Sequence, residues 1–220
     1  EDAVITENGK NEAGKHYSEY IDVDSFAEYY AFNEWTSNMD CGLTSTYLYK
    51  PANDVLYAGP VWDYDIALGN NDIGRFGCDY TNPEEFTVCF GRQYRNTIFD
   101  QKDYDRVPTL FNTLCQKQEF VDKAKSSWDS TLKNAIVLTS AAMPAYIATV
   151  TDSAVMNALR WNIFDTYDEA EIRKAYKAET DSVLDFSSKR MIENGDPTQR
   201  DISLAEAFSA RLKGSWGPRR

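Results

Sequence analysis

Apolar residues first recur at helical spacing just after residue 20. Phe26, Tyr29, Tyr30, Phe32 and Trp35 share the face of a helix, and Asp22 or Asp24 stands where an N-cap carboxylate would accept the first free N–H groups. The pattern gives out around NMDCG, residues 38–42. A strand-like pattern follows: STYLYK (45–50) and VLYAGPVWDYD (55–65) flank the turn residues PAND, which predicts a β-hairpin. Upstream, residues 1–20 are polar and rich in Gly, Asn and Glu, and read as a loop leading into the domain. Residues 69–105 combine Gly, Asn, Asp and aromatics with little periodicity, the mark of a loop-rich insertion. Helices are predicted for about 106–128, 129–142, 152–164, 168–194 and 201–213. In the fourth of these, Ile172, Tyr176, Val183, Phe186, Met191 and Ile192 fall mainly on one side. The most apolar stretch, AIVLTSAAMPAYIATV from Ala135, is interrupted by Thr, Ser and Pro. It reads as helix plus loop, not as the roughly 20 apolar residues that a bilayer span requires.

The fold class that results is α+β and predominantly helical, a short hairpin set in a helical domain. It divides into a polar lead-in (1–20), one domain over 21–213 and a tail (214–220). Within the domain lie a helix-hairpin core (21–70), the insertion (71–105) and a helical region (106–213). No repeat or low-complexity tract interrupts it. With 220 residues, 42% of them hydrophobic and 14% aromatic, the chain can bury a sizeable core.

Charge removes some partners. Lys and Arg number 23 against 35 Asp and Glu, a net charge of −12, so nucleic acid and anionic lipid would both be repelled. The opening EDAVITENGK lacks a Met and the basic-then-apolar order of a signal peptide, and reads as a mature or excised segment. Cys41, Cys78, Cys89 and Cys115 are widely spaced and His16 is the single histidine. A Cys/His zinc site is therefore not expected. The spacing leaves open one or two disulfides, with Cys78 and Cys89 the best-spaced pair, and equally free buried thiols.

The candidate chemistry sits in GPVWDYDIALGN, residues 59–70. If the strand continues through it, Asp63 and Asp65 point to one face while Trp62 and Tyr64 pack the other way. Two carboxylates held together call for a counter-charge, and a hard divalent cation, Mg²⁺, Mn²⁺ or Ca²⁺, matches oxygen ligands. Asp40 lies at the end of the aromatic helix, and the hairpin returns the chain beside it. One carboxylate on a metal with a second placed as base is an arrangement suited to phosphoryl transfer.

FNEWTSNMD, STYLYK and LYAGPVWDYDIALGN, in that order and at that spacing, resemble the core of the CotH family, the spore-coat protein H-like atypical kinases. A looser likeness runs through PTLFNTLCQKQEF and MNALRWNIF, over about residues 20–190. The resemblance implies a kinase-like C-terminal lobe that transfers phosphate from ATP, with Mg²⁺ or Mn²⁺, to Ser or Thr of spore-coat or other extracellular proteins. It implies Asp40 as the catalytic-loop aspartate, Asp63 as the metal-binding one and Asp65 as its support. Where many members carry Asn before the Y-x-Y strand, this chain has Ser45 and Thr46, which leaves Asn38 and Ser45 as candidate positioning groups. Only about 20 residues precede the helix and they hold no G-x-G-x-x-G, so the nucleotide-covering N-terminal lobe is expected from the parent protein.

Other chemistries fit less well. Haloacid dehalogenase-type phosphatases and metal-dependent glycosyltransferases also use D-x-D but need alternating strands and helices, and a hydrolase triad would have only His16 as base. DPTQRDISLAEAF resembles a calcium loop superficially, with Arg200 at a ligand position. A non-catalytic secreted module binding protein or glycan through Trp62, Tyr64, Tyr80, Phe90 and Tyr94 is the alternative. Such a module would not need Asp40 together with Asp63.

Overall fold

Helix α2 (Val23–Thr36) forms where the apolar pattern places it. Asp22 is its N-cap, extended in backbone, with a carboxylate oxygen 2.7 Å from the Ser25 N–H. The structure, a computed structural model, describes residues 2–42, 44–70, 80–83, 87–88 and 110–191. The predicted helix 201–213, the tail, most of the insertion and Cys78, Cys89, Phe90 and Tyr94 lie outside those residues.

α2 is the centre of the molecule. Phe26, Ala27, Tyr30 and Asn33 are wholly buried, so the helix is enclosed on several sides and not along one stripe. Phe111, from α3 (Leu110–Leu114), inserts among its aromatics with ring centroids 6.0 Å from Phe26, 5.7 Å from Tyr29 and 6.3 Å from Tyr30. Phe120, from α4 (Gln118–Ser127), lies 5.8 Å from Tyr30. Each such ring contributes about 1.5–3 kcal/mol by leaving water. The helix predicted over 106–128 is thus two, broken at residues 115–117.

Residues 1–20 are not the loop that their polarity suggests. They contain α1 (Asp2–Ile5) and a 3₁₀ turn at Tyr17–Glu19, and Ala3, Val4 and Tyr17 are buried in the core of α2. Lys117 Nζ donates to the Thr6 carbonyl at 2.6 Å, and His16 Nε2 lies 3.0 Å from Glu119 Oε1. Two adjacent apolar residues and a lone tyrosine carry no period, so only the neighbouring helices reveal that they are core.

The predicted hairpin is present but short. β1 (Leu48–Tyr49) pairs antiparallel with β2 (Tyr57–Ala58), Leu48 opposite Ala58 and Tyr49 opposite Tyr57. It is the only sheet among the described residues.

A π turn (Trp128–Leu132) carries α4 into α5 (Lys133–Trp161), which runs 29 residues without a break. The helix-plus-loop reading of 135–150, with helices at 129–142 and 152–164, is therefore corrected. Pro144 sits inside α5; it removes one backbone donor, while the neighbouring alanines favour helix. The hydroxyls of Thr149 and Thr151 bond back to the carbonyls of Tyr146 and Ile147 and do not end it. α6 (Glu169–Met191) returns alongside, joined through a small cluster of Val155, Ala158 and Ile172. By length and composition the run Gln118–Trp161 could cross a membrane, and only 6% of its apolar window is buried. α6, however, brings Arg173 to 2.9 Å from Asp152 and carries further ion pairs at Lys177–Asp181 and Lys189–Asp185, charges that hydrocarbon accommodates poorly.

Candidate functional site

Past the last turn of α2 the chain enters a loop by left-handed residues. Ser37 (φ 52) closes the helix with its N–H on the Asn33 and Glu34 carbonyls, the conformation usual at helix ends. Asp40 follows, half-buried, and its N–H donates to Asn38 Oδ1 at 3.1 Å. Thr46 Oγ1 accepts from Gly42 N at 2.8 Å and folds the loop back. This brings Ser45 (φ 46) over Asp40, where its hydroxyl donates to Asp40 Oδ2 at 3.0 Å.

The same hydroxyl lies 3.2 Å from Asp63 Oδ2. Asp40 and Asp63 therefore share one hydroxyl, and their oxygens are separated by no more than the two bonds end to end, about 6 Å. One proton serves two carboxylates. The arrangement also stands at the C-terminal, electronegative end of α2, which disfavours negative charge. All three groups offer hard oxygens, so the donor set fits Mg²⁺ or Mn²⁺ with room left for phosphate and water ligands.

The strand expected to present Asp63 and Asp65 on one face is not there. β2 ends at Ala58, and Asp63 takes φ 62. A left-handed residue interrupts the extended backbone on which the expectation rested. Asp63 faces out beside Asp40, while Tyr64 turns in, its ring 5.5 Å from Phe32. Asp65 opens the next turn, exposed, its carbonyl accepting from Asn70 Nδ2 at 2.6 Å. Among the described residues no three His, Cys, Asp or Glu side chains converge as a metal group. Asn38 and Ser45 both adjoin Asp40, Asn38 through its backbone and Ser45 through its carboxylate.

A buried polar framework holds this region, and sequence reasoning missed most of it. Glu34, 2% exposed, accepts from the N–H groups of Thr87 and Val88. Arg190, from the last turn of α6 and 3% exposed, donates to the carbonyls of Glu34, Trp35 and Pro83 and lies 3.9 Å from the Glu34 carboxylate. A cation thus caps the end of α2 and adds donors to its last carbonyls. The Leu68 N–H donates to the Thr36 carbonyl at 2.7 Å. Gly69 (φ 81) lies where an added Cβ would meet the Phe186 ring at 2.6 Å, so the motif's glycine answers to both backbone and α6.

The aromatics proposed for a groove separate. Tyr80 is core at 2% exposure, Tyr64 is turned inward, and Trp62 is 58% exposed, edge-on to Tyr47 at 6.2 Å. Cys41, next to Asp40, and Cys115 are free buried thiols. Burial, and then the nearby Glu34, pushes the Cys41 thiol well above its usual range.

Compared with known proteins, the chain matches the family described as CotH kinase protein over residues 3–192. No curated protein and no solved structure matches it.

Proposed function

Since the chain belongs to the CotH kinase family, we propose that it carries the catalytic loop and metal-holding turn of an atypical protein kinase, moving phosphate from ATP to Ser or Thr of an extracellular, cell-surface or spore-coat protein. One observation supports the reading above all: Asp40 and Asp63, 23 positions apart in the sequence, meet at the Ser45 hydroxyl.

Asp40 orients the acceptor hydroxyl and takes its proton at a carboxylate oxygen. Its half-buried position and the Asn38 bond to its N–H fix where that oxygen lies. Asp63, with Asp65 in support, would hold Mg²⁺ or Mn²⁺ against the ATP phosphates. When bound, the cation offsets phosphate charge that would otherwise face two carboxylates. The Ser45 hydroxyl keeps the pair spaced and supplies a neutral donor in place of an amide. Backbone that covers the phosphates, as in other kinases, is the further partner required, and a lobe of the parent protein would supply it.

A second reading, a secreted binding or scaffold module for protein or glycan, is favoured by the exposed Tyr47–Trp62 pair. Labelled ATP separates the two. In the parent protein that carries this lobe, with Mn²⁺ and a mixed Ser/Thr peptide acceptor, Asp40→Ala and Asp63→Ala should each lower transfer by about 10²–10⁴-fold. Equal labelling by wild type and both variants would overturn the kinase reading.

A further inference from the structure

The two carboxylates need a means of staying together that the hairpin does not provide. Its pairing stops at Ala58, five residues before Asp63, and Asp63 itself is left-handed, a conformation that persists only where its surroundings hold it. Something beyond Ala58 must hold that turn against α2.

We propose that Tyr64 is a positioning residue that fixes Asp63 relative to Asp40 through Asn33 and Asn38. This rests on the kinase reading for its functional consequence, but not for the coupling itself. The Tyr64 hydroxyl donates to Asn33 Oδ1 at 2.8 Å, and Asn38 Nδ2 donates to the same oxygen at 2.9 Å. Asn38 Oδ1 in turn accepts from the Asp40 N–H at 3.1 Å. A continuous chain of hydrogen bonds therefore runs from the peptide of Asp40 to the residue bonded to Asp63.

Its middle member has one orientation available. Asn33 is fully buried, both lone pairs of Oδ1 are taken, and Nδ2 donates to the Tyr29 carbonyl at 2.8 Å. A flipped amide would face two donors with a donor and the carbonyl with an acceptor. Asn38 is 2% exposed and uses both ends of its amide. Buried networks satisfied in this way specify one geometry, and losing one partner leaves the others in a cost they cannot relieve through water. Among the described residues, Tyr64 supplies the side-chain bond between the turn of Asp63 and this amide pair.

The test compares the full chain with Tyr64→Phe, which keeps the ring against Phe32 and removes only the hydroxyl. The first readout is amide hydrogen exchange at Asp40 and does not involve activity. Exchange there should be about tenfold faster in the variant, the size of one neutral hydrogen bond, while the amides of α5 and α6 keep their rates. The second readout is the Mn²⁺ concentration at half-maximal phosphate transfer by the parent protein, expected to rise about tenfold; a purely structural role would lower the melting temperature without moving it. Unchanged Asp40 exchange in Tyr64→Phe overturns the proposal. Asp63→Ala tells the two failures apart. If it keeps full transfer, the kinase reading falls and Asp40 exchange still decides the coupling. If it abolishes transfer while Tyr64→Phe matches wild type in both readouts, only the role of Tyr64 falls.

Discussion

The end of α2 and the α5–α6 hairpin are opposites. Around Asp40 there is little regular structure, with a two-residue strand pair, left-handed residues at Ser37, Ser45, Asp63 and Leu68, and short turns. Yet Asn33, Glu34, Ser37 and Asn38 are all buried and hydrogen-bonded. The hairpin has long, regular helices and little interior: in α5 only Ile136, Val155 and Ala158 are buried, while Leu138, Tyr146, Met156 and Trp161 are each 65% exposed or more. Regularity and rigidity are therefore separate properties here. The irregular region is fixed by polar bonds between distant parts of the chain, and the regular one mainly by its own backbone ladder.

The sharpest way to break that contrast is at the two arginines of α6. Arg190→Ala leaves Glu34 buried without its cation and strips donors from two α2 carbonyls, a loss of about 3–5 kcal/mol, read as a large fall in the urea midpoint. Arg173→Ala removes a surface ion pair to Asp152, and surface pairs contribute little, so its midpoint should match wild type. Equal effects would erase the distinction.

A smaller loss is expected from Gly69→Ala. At φ 81, with a Cβ 2.6 Å from Phe186, the substitution should cost about 1–3 kcal/mol from strain and overpacking. Thermal melting checks it.

Alkaline pH should act on the site region first. The Cys41 thiol is raised well above its usual 9.0 by burial, and burial also raises the Tyr64 and Tyr29 phenols above 10.0. Groups raised on folding stabilise fully below their unfolded values, and that contribution is lost as pH rises toward the folded ones, because the unfolded chain releases protons that the folded one keeps. Stability should therefore decline from about pH 9 upward. Cys41→Ala should delay the onset in denaturation curves taken between pH 8 and 11, a range chosen to bracket the thiol and phenol values.

The smallest effect belongs to the exposed face of α5. Leu138→Ser, at 72% exposure, should move stability by no more than about 0.5 kcal/mol. Ile136→Ala, two residues earlier and 4% exposed, should cost about 2–5 kcal/mol.

What the sequence revealed follows the same division. α2 was legible because Asp22 and the spaced aromatics are local signals, and the hairpin because PAND separates two strand-like arms. α6 was legible to within a few residues at each end. Asp40 and Asp63 could be brought together on paper since a hairpin returns near its start. Their actual presentation could not, because the sign of φ at Asp63 leaves no mark in an apolar pattern. Tyr64 read as packing away from the aspartates, but its hydrogen-bond partner Asn33 is 31 positions away, and Arg190 meets Trp35 across 155. Asn33 did leave a trace, an amide among the aromatic residues of α2, and buried amides need partners. In α5, Pro144 was weighed as a stop, whereas neighbouring alanines carry the helix through it.

The most direct measurement is a Mn²⁺ titration of the chain followed by electron paramagnetic resonance, with and without ATP, for wild type, Asp40→Asn and Asp63→Asn. If Asp63 holds the cation while Asp40 serves the acceptor hydroxyl, wild type holds one Mn²⁺ per chain with ATP, Asp63→Asn loses it and Asp40→Asn keeps it. Equal Mn²⁺ binding by wild type and Asp63→Asn would contradict that account.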